Sequence, residues 1–182
     1  QVAAGDRRVG ILGFGHLGQA AARHLLALGF PVAGWSRARK TVPGVKSYAG
    51  AGEMGDFLAR SDILVCLAPH TRETEGIVNA KTLARLPPGA YLINAGRGGL
   101  TVEADVLAAL DSGALAGAWL DVFRAEPLPA DSPFWTHARV VVTPHVGAIT
   151  RPGPAALEMA DNIRLIRSGL HPNGLVDAGR GY

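Results

Sequence analysis

The sequence predicts an α/β fold: a doubly wound parallel sheet followed by a C-terminal helix and tail. Three observations predict it. Short apolar runs alternate with helix-length amphipathic stretches, the runs are apolar on successive residues as strands covered on both faces require, and a glycine-rich turn joins the first run to the first helix. The first run is Val9-Gly10-Ile11-Leu12. A helix is expected over residues 17–28, where Leu17, Ala21, Leu25 and Leu28 fall at helical spacing and Gly29 supplies the stop. Residues 31–35 read as the next strand, so the chain opens with a βαβ unit. Further strands are expected at residues 63–67, 90–93, 116–120 and 140–143, with helices at 54–59, 80–86 and 102–110 between them. From Pro152 the alternation stops. One helix over residues 154–168 is expected to face Leu157, Ala160, Ile163 and Ile166 inward, and a Gly/Pro/Asn-rich tail follows.

Composition bounds the function classes. Of 182 residues, 48% are apolar, enough for one sizeable core. The 24 glycines and 12 prolines are scattered without a period, which excludes collagen-like and low-complexity readings. A net charge of +3 is too small and dispersed to mark a nucleic-acid or membrane partner. The lone Cys66 sits in an apolar run, so neither a disulfide framework nor a thiolate metal cluster can be built, and no metal site is expected. With no membrane-length apolar run and no signal-like N-terminus, the chain reads as a soluble cytoplasmic protein.

Gly13-Phe14-Gly15-His16-Leu17-Gly18 is a GxGxxG sequence set between a strand and a helix. In that context each glycine has a mechanical reason to be there. Gly13 permits the tight turn, Gly15 lets backbone approach a pyrophosphate, and Gly18 packs helix on strand. The helix N-terminus, with His16 and Leu17, then offers N–H groups to phosphate oxygens. A dinucleotide is therefore expected here. The position where an acidic residue would hold a ribose 2′-hydroxyl reads Trp35-Ser36-Arg37-Ala38-Arg39-Lys40. No carboxylate is available. Ser36 can donate a hydrogen bond, and Arg37, Arg39 and Lys40 can hold a 2′-phosphate, so NADP(H) is favoured over NAD(H). The competing reading of the cluster is a solvated basic loop.

Later motifs bring a family into view. Asn94-Ala95-Gly96-Arg97-Gly98-Gly99, Leu120-Asp121-Val122-Phe123, Glu126-Pro127-Leu128-Pro129 and Thr143-Pro144-His145, in that order behind the glycine turn, resemble the D-2-hydroxyacid dehydrogenases. Within that family the resemblance is nearest to the NADPH-dependent glyoxylate/hydroxypyruvate reductase A branch. Trp35-Ser36-Arg37, Ile149-Thr150-Arg151-Pro152, Val176-Asp177 and Arg180-Gly181-Tyr182 also look like that branch.

The resemblance implies a Rossmann NAD(P)-binding domain and a hydride transfer from NADPH to a small 2-keto acid. Such a reaction needs a cation for the carboxylate and a proton donor for the carbonyl oxygen. It implies Arg97 for the first and His145 for the second, with Glu126 fixing the imidazole. It also implies cofactor contacts from Leu67-Ala68-Pro69, Thr71 and Thr74, from Ala95, Gly96 and Arg97, and from Asp121 and His145. The other histidines read as surface residues, and Trp119 and Trp135 as core or lid residues.

Residues 1–147 would then form the dinucleotide-binding domain. Residues 148–182 would be a helix and tail that return toward an N-terminal substrate domain. Family members carry roughly a hundred residues of such a domain before the glycine turn. This chain starts about a dozen residues before Gly13, so a fragment is expected that keeps nucleotide binding more readily than turnover. The resemblance further implies a homodimer and a 2-keto or 2-hydroxy acid as the only other partner. One alternative is an NADP(H)-binding sensor or protein-interaction module without turnover, although such a module has no need of Arg97, Glu126 and His145 together. An NAD-linked D-lactate or formate dehydrogenase is a weaker alternative, disfavoured by Ser36.

Overall fold

Among the residues described by the structure, a computed structural model covering residues 2–176, seven strands form one sheet. They are β1 (Val9–Leu12), β2 (Val32–Ser36), β3 (Lys46–Ala49), β4 (Ile63–Cys66), β5 (Ala90–Asn94), β6 (Leu115–Leu120) and β7 (Val140–Val142). Their order is β3-β2-β1-β4-β5-β6-β7, and every pairing is parallel. Helices α1 (His16–Ala27), α2 (Met54–Ala59), α3 (Ala80–Leu83) and α4 (Glu103–Asp111) supply crossovers, and α5 (Pro152–Arg167) follows the sheet. The doubly wound Rossmann architecture is thus present. Asp177 and Arg180-Gly181-Tyr182, noted above, lie outside the described residues.

β1 is buried along its whole length, as a central strand covered on both faces must be. The glycine turn that follows is anchored inward by Phe14, which is fully buried and contributes about 2 kcal/mol of apolar burial. Its backbone is tied as well: the N–H groups of Gly13 and Phe14 both donate to the Trp35 carbonyl at 3.0 Å. The turn is held by β2 before any ligand arrives.

Four expectations need correction. The sequence pattern does not reveal strand β3, because Lys46-Ser47-Tyr48-Ala49 is a short edge strand in which only Tyr48 is buried, packed edge-on against Phe57 at 5.9 Å. In α1 the inward face is Gly18, Ala21, Ala22 and Leu25. Leu17 is exposed in the first turn and Leu28 lies beyond the last. Helix α3 ends early: the chain tightens into i→i−3 bonds at Arg85 and Leu86 ahead of Pro87. In α5 no residue is buried, and Leu157, Ile163 and Ile166 are exposed. Nor do the four share one face: successive steps of three fall behind the helical turn, so Leu157 and Ile166 stand about 180° apart.

The chain up to His145 makes one compact unit and the segment from Val146 another. In the second unit Asn162 pins the tail to α5, accepting from the Asn173 N–H at 2.8 Å and donating to its carbonyl at 3.2 Å. Among the described residues no helix is long and apolar enough to cross a membrane, and no three His, Cys, Asp or Glu side chains are grouped to hold a metal. The Cys66 thiol is fully buried, which pushes its pKa up to about 12.

The N-terminal edges of β1 and β4 are clamped by one ion pair. Asp62 accepts from the Arg8 backbone N–H and Nε at 2.8 Å each, and from Nη2 at 2.6 Å. These bonds, with Arg8 the largest cause, hold the Asp62 carboxyl below its ordinary range. The sign follows: the stabilisation is complete above the unfolded value of about 3.9 and is lost as pH falls through the lower folded value. Asp62→Asn is expected to cost about 1 kcal/mol near neutral pH, after allowance for the half-exposed Arg8, and to flatten the acid limb of stability. Urea unfolding between pH 3 and 7 measures both.

Candidate active site

Because all seven strands run parallel, their C-terminal ends share one edge, and the residues singled out by sequence lie along it. Gly13 follows β1, Ser36 ends β2, and Leu67-Ala68-Pro69 follows β4. Arg97 follows β5, Asp121 follows β6, and His145 follows β7. Strand order reverses between β1 and β4, which opens the crevice where such sheets place ligands.

The glycine turn fits a pyrophosphate on this chain's own geometry. Gly13 has φ of +103°, and a Cβ there would overlap the backbone of Ala68, so the loops after β1 and β4 meet backbone to backbone. A Cβ on Gly18 would overlap the Gly13 carbonyl oxygen, whereas one on Gly15 meets nothing within 4 Å. The turn is therefore closed toward the sheet and open outward at Gly15. His16 and Leu17, both exposed, begin α1 at this opening, and no side chain caps the helix. Free space, backbone at close range and an uncapped helix N-terminus together suit a dinucleotide diphosphate.

The basic cluster after β2 is partly spent. Arg37 Nη1 donates to Glu73 Oε2 at 2.9 Å, which links the loops after β2 and β4. Arg39 donates to the Ser47 carbonyl at 2.6 Å and to Glu53. The Lys40 N–H reaches Ser47 Oγ at 3.3 Å, and Ser36 Oγ donates to the Ala38 carbonyl at 2.7 Å. Arg37 is thus tied to the loop after β4 while Arg39 braces β3.

In the loop after β4, Thr74 is buried. Its hydroxyl donates to the Pro69 carbonyl at 2.6 Å and accepts from the Thr71 N–H at 2.8 Å, so it shapes the loop from within. Asp121 is also buried. Thr143 Oγ1 donates to it, and its carbonyl accepts from the His145 N–H at 3.0 Å. Asn94 at the end of β5 accepts from the Gly96 N–H at 3.1 Å and donates to the Arg97 carbonyl at 3.2 Å, which fixes the Ala95-Gly96-Arg97 turn. Asn94 and Thr143 stand in the sequence motifs without a role of their own there. A polar residue ending an apolar strand is the signal that could have found Asn94.

Arg97, Glu126 and His145 line one cleft of about 260 Å³. His145 Nδ1 lies 2.8 Å from Glu126 Oε2, while Glu126 Oε1 accepts from the Phe123 N–H at 2.9 Å. The Phe123 bond first and the His145 bond second hold the Glu126 carboxyl below its ordinary range, so it faces the imidazole as a carboxylate. His145 takes φ of +55°, the left-handed region that histidine tolerates better than most residues. Its backbone is fixed there by the bond to Asp121. Arg97 Nη1 donates to the Gly96 carbonyl at 2.7 Å. The same cleft holds His70, Glu75 and Arg124, which no sequence motif singles out. Trp119 and Trp135 are exposed rather than core, with Trp119 Nε1 on Thr143 Oγ1 at 3.2 Å.

Residues 2–147 match the family model described as D-isomer specific 2-hydroxyacid dehydrogenase, NAD binding domain. The chain belongs to that family. Among solved structures, the D-isomer specific 2-hydroxyacid dehydrogenase from Xanthobacter autotrophicus Py2, in complex with NADPH and MES, is 48% identical with a TM-score of 0.97, over 100% of this chain and 75% of that one. The NADPH-dependent glyoxylate/hydroxypyruvate reductase from Sinorhizobium meliloti, in complex with NADP and sulfate, is 46% identical with a TM-score of 0.96, over 100% of this chain and 59% of that one. A probable 2-hydroxyacid dehydrogenase from Rhizobium etli CFN 42, in complex with NADP, is 39% identical with a TM-score of 0.94, over 100% of this chain and 58% of that one. The chain therefore spans less than two thirds of the length of the latter two relatives. These relatives bind NADP(H), in line with the cofactor class that the Ser36-Arg37 loop predicts.

Proposed function

We propose that this chain binds NADP(H) at the glycine turn and carries the reducing half of a site that converts a small 2-keto acid, of the glyoxylate or hydroxypyruvate type, to the D-2-hydroxy acid. The observation that carries the reading is the His145–Glu126 pair, 2.8 Å apart, in one cleft with Arg97. Glycine-turn backbone and the α1 N-terminus would hold the diphosphate and Arg37 the 2′-phosphate, with Ser36 joining it by turning its hydroxyl away from the Ala38 carbonyl. NADPH, when bound, supplies the hydride. Arg97 binds the substrate carboxylate and draws electron density from the adjoining carbonyl. The imidazolium of His145 moves its Nε2 proton to the carbonyl oxygen as negative charge develops there, and in the reverse direction the neutral ring takes it back. Glu126 holds the ring by Nδ1–H and offsets the charge it carries when protonated. Residues 1–147 serve as the dinucleotide-binding domain in this reading.

The test has two parts. Titration of the chain, followed by nicotinamide fluorescence, is expected to give NADPH an affinity at least about tenfold above that of NADH. Consumption of NADPH by the complete gene product with glyoxylate or hydroxypyruvate is the second. No NADPH binding, or equal binding of NADH, rejects the cofactor assignment. Tight NADPH binding without turnover by the complete gene product supports the sensor reading instead.

A further inference from the structure

The mechanism above leaves unused a second group of charged side chains in the same cleft. Glu75 bridges them: one carboxylate oxygen meets His70 Nε2 and the other meets Arg124 Nη2. His70 and Glu75 come from the loop after β4 and Arg124 from the loop after β6, so the bridge joins two loops across the cleft. It is braced from behind. The Arg124 N–H donates to Glu103 Oε1 at 2.9 Å, and the His70 ring lies so close over Gly99 that a Cβ there would overlap it.

We infer that His70, Glu75 and Arg124 form the subsite for the substituent on C3 of the substrate and select a hydroxyl there. The inference rests on the reading of Arg97 and His145 given above. The reacting carbon is planar with three substituents. When the carboxylate is on Arg97 and the carbonyl oxygen at His145, the third substituent points away from both, and the remaining charged wall of the cleft is this bridge. A hydroxyl both donates and accepts, so it can donate to Glu75 while accepting from Arg124 or His70. A methyl group would strip water from the bridge and return no hydrogen bond. A second carboxylate would face Glu75. The wall thus discriminates by hydrogen-bond replacement, which separates hydroxyl from methyl far better than shape alone.

The experiment measures binding to the NADPH-loaded complete gene product by calorimetry, with D-glycerate and D-lactate as probes. Both acids and the cofactor are already reduced, so no turnover intervenes. D-glycerate is expected to bind about tenfold more tightly than D-lactate, a discount on a buried hydrogen-bonding site because these groups are half-exposed. In Glu75→Gln and in His70→Leu the ratio is expected to fall toward one, with D-glycerate losing more than D-lactate. A wild-type ratio near one, or a ratio that survives both substitutions, overturns the subsite. Failure of the parent reading looks different: neither acid binds although NADPH does, or NADPH itself does not bind.

Discussion

His145→Asn is expected to lower turnover about 10²–10⁴-fold, the range over which a positioned proton donor contributes to such a step. NADPH affinity is expected to fall no more than about threefold, the scale of a substitution that removes no buried contact. Asparagine is the informative replacement. The backbone at this position has φ of +55°, a region that asparagine, like histidine, occupies at little cost, so the variant removes the proton without adding strain. The Glu126 carboxylate remains bonded to the Phe123 N–H at 2.9 Å, so the loop it closes keeps one of its two ties. Stopped-flow turnover and a parallel cofactor titration separate the two effects. Retained turnover, or a loss of cofactor affinity that matches the loss of rate, would remove His145 from the proton-transfer role.

Several features of this edge of the sheet are legible in the sequence because their signals are local and physical. Val9–Leu12, the glycine turn and the following helix announce themselves by an apolar run, glycine placement and helical spacing, and these are the elements that tertiary context does not override. Arg97 and His145 come from the family resemblance, and parallel strands send both, as residues beyond strand C-terminal ends, to one edge. What stays hidden is what side-chain pairing and weak periodicity decide. His70 reads as a surface histidine and is exposed, but its place beside Glu75 and Arg124 is not visible in the sequence. The hold that Thr74 has on its own loop, with its hydroxyl turned onto the Pro69 carbonyl, carries no sequence signal either. The β3 edge strand carries one buried side chain in four residues, too little periodicity to mark it. The α5 spacing misleads because a run of threes winds halfway round the helix, and no side chain on any face of α5 is buried.

Charge reversal at Arg37 is the second large effect. Arg37→Asp is expected to weaken NADPH binding by about 10–100-fold and NADH binding by less than about threefold, as charge-assisted bonds to a phosphate demand. The argument starts from position: Arg37 directly follows β2, and its Nη1 reaches across to Glu73 at 2.9 Å. A 2′-phosphate arriving there must share or displace that carboxylate, so the pair sets a threshold for the phosphorylated cofactor alone. Two companions give the sign. Glu73→Gln removes the competing anion and is expected to tighten NADPH with little change for NADH. Arg39→Ala is expected to have the smaller effect on cofactor choice, because Arg39 is committed to the Ser47 carbonyl at 2.6 Å and to Glu53 behind β3. Raising salt should narrow the NADPH preference, since a half-exposed guanidinium is screened within a Debye length of about 8 Å at physiological ionic strength. Equal losses of both cofactors in Arg37→Asp would mean that the guanidinium supports the loop rather than the phosphate. The ordering Arg37 above Arg39 distinguishes a phosphate clasp from a merely basic surface, because diffuse attraction would make the two residues interchangeable.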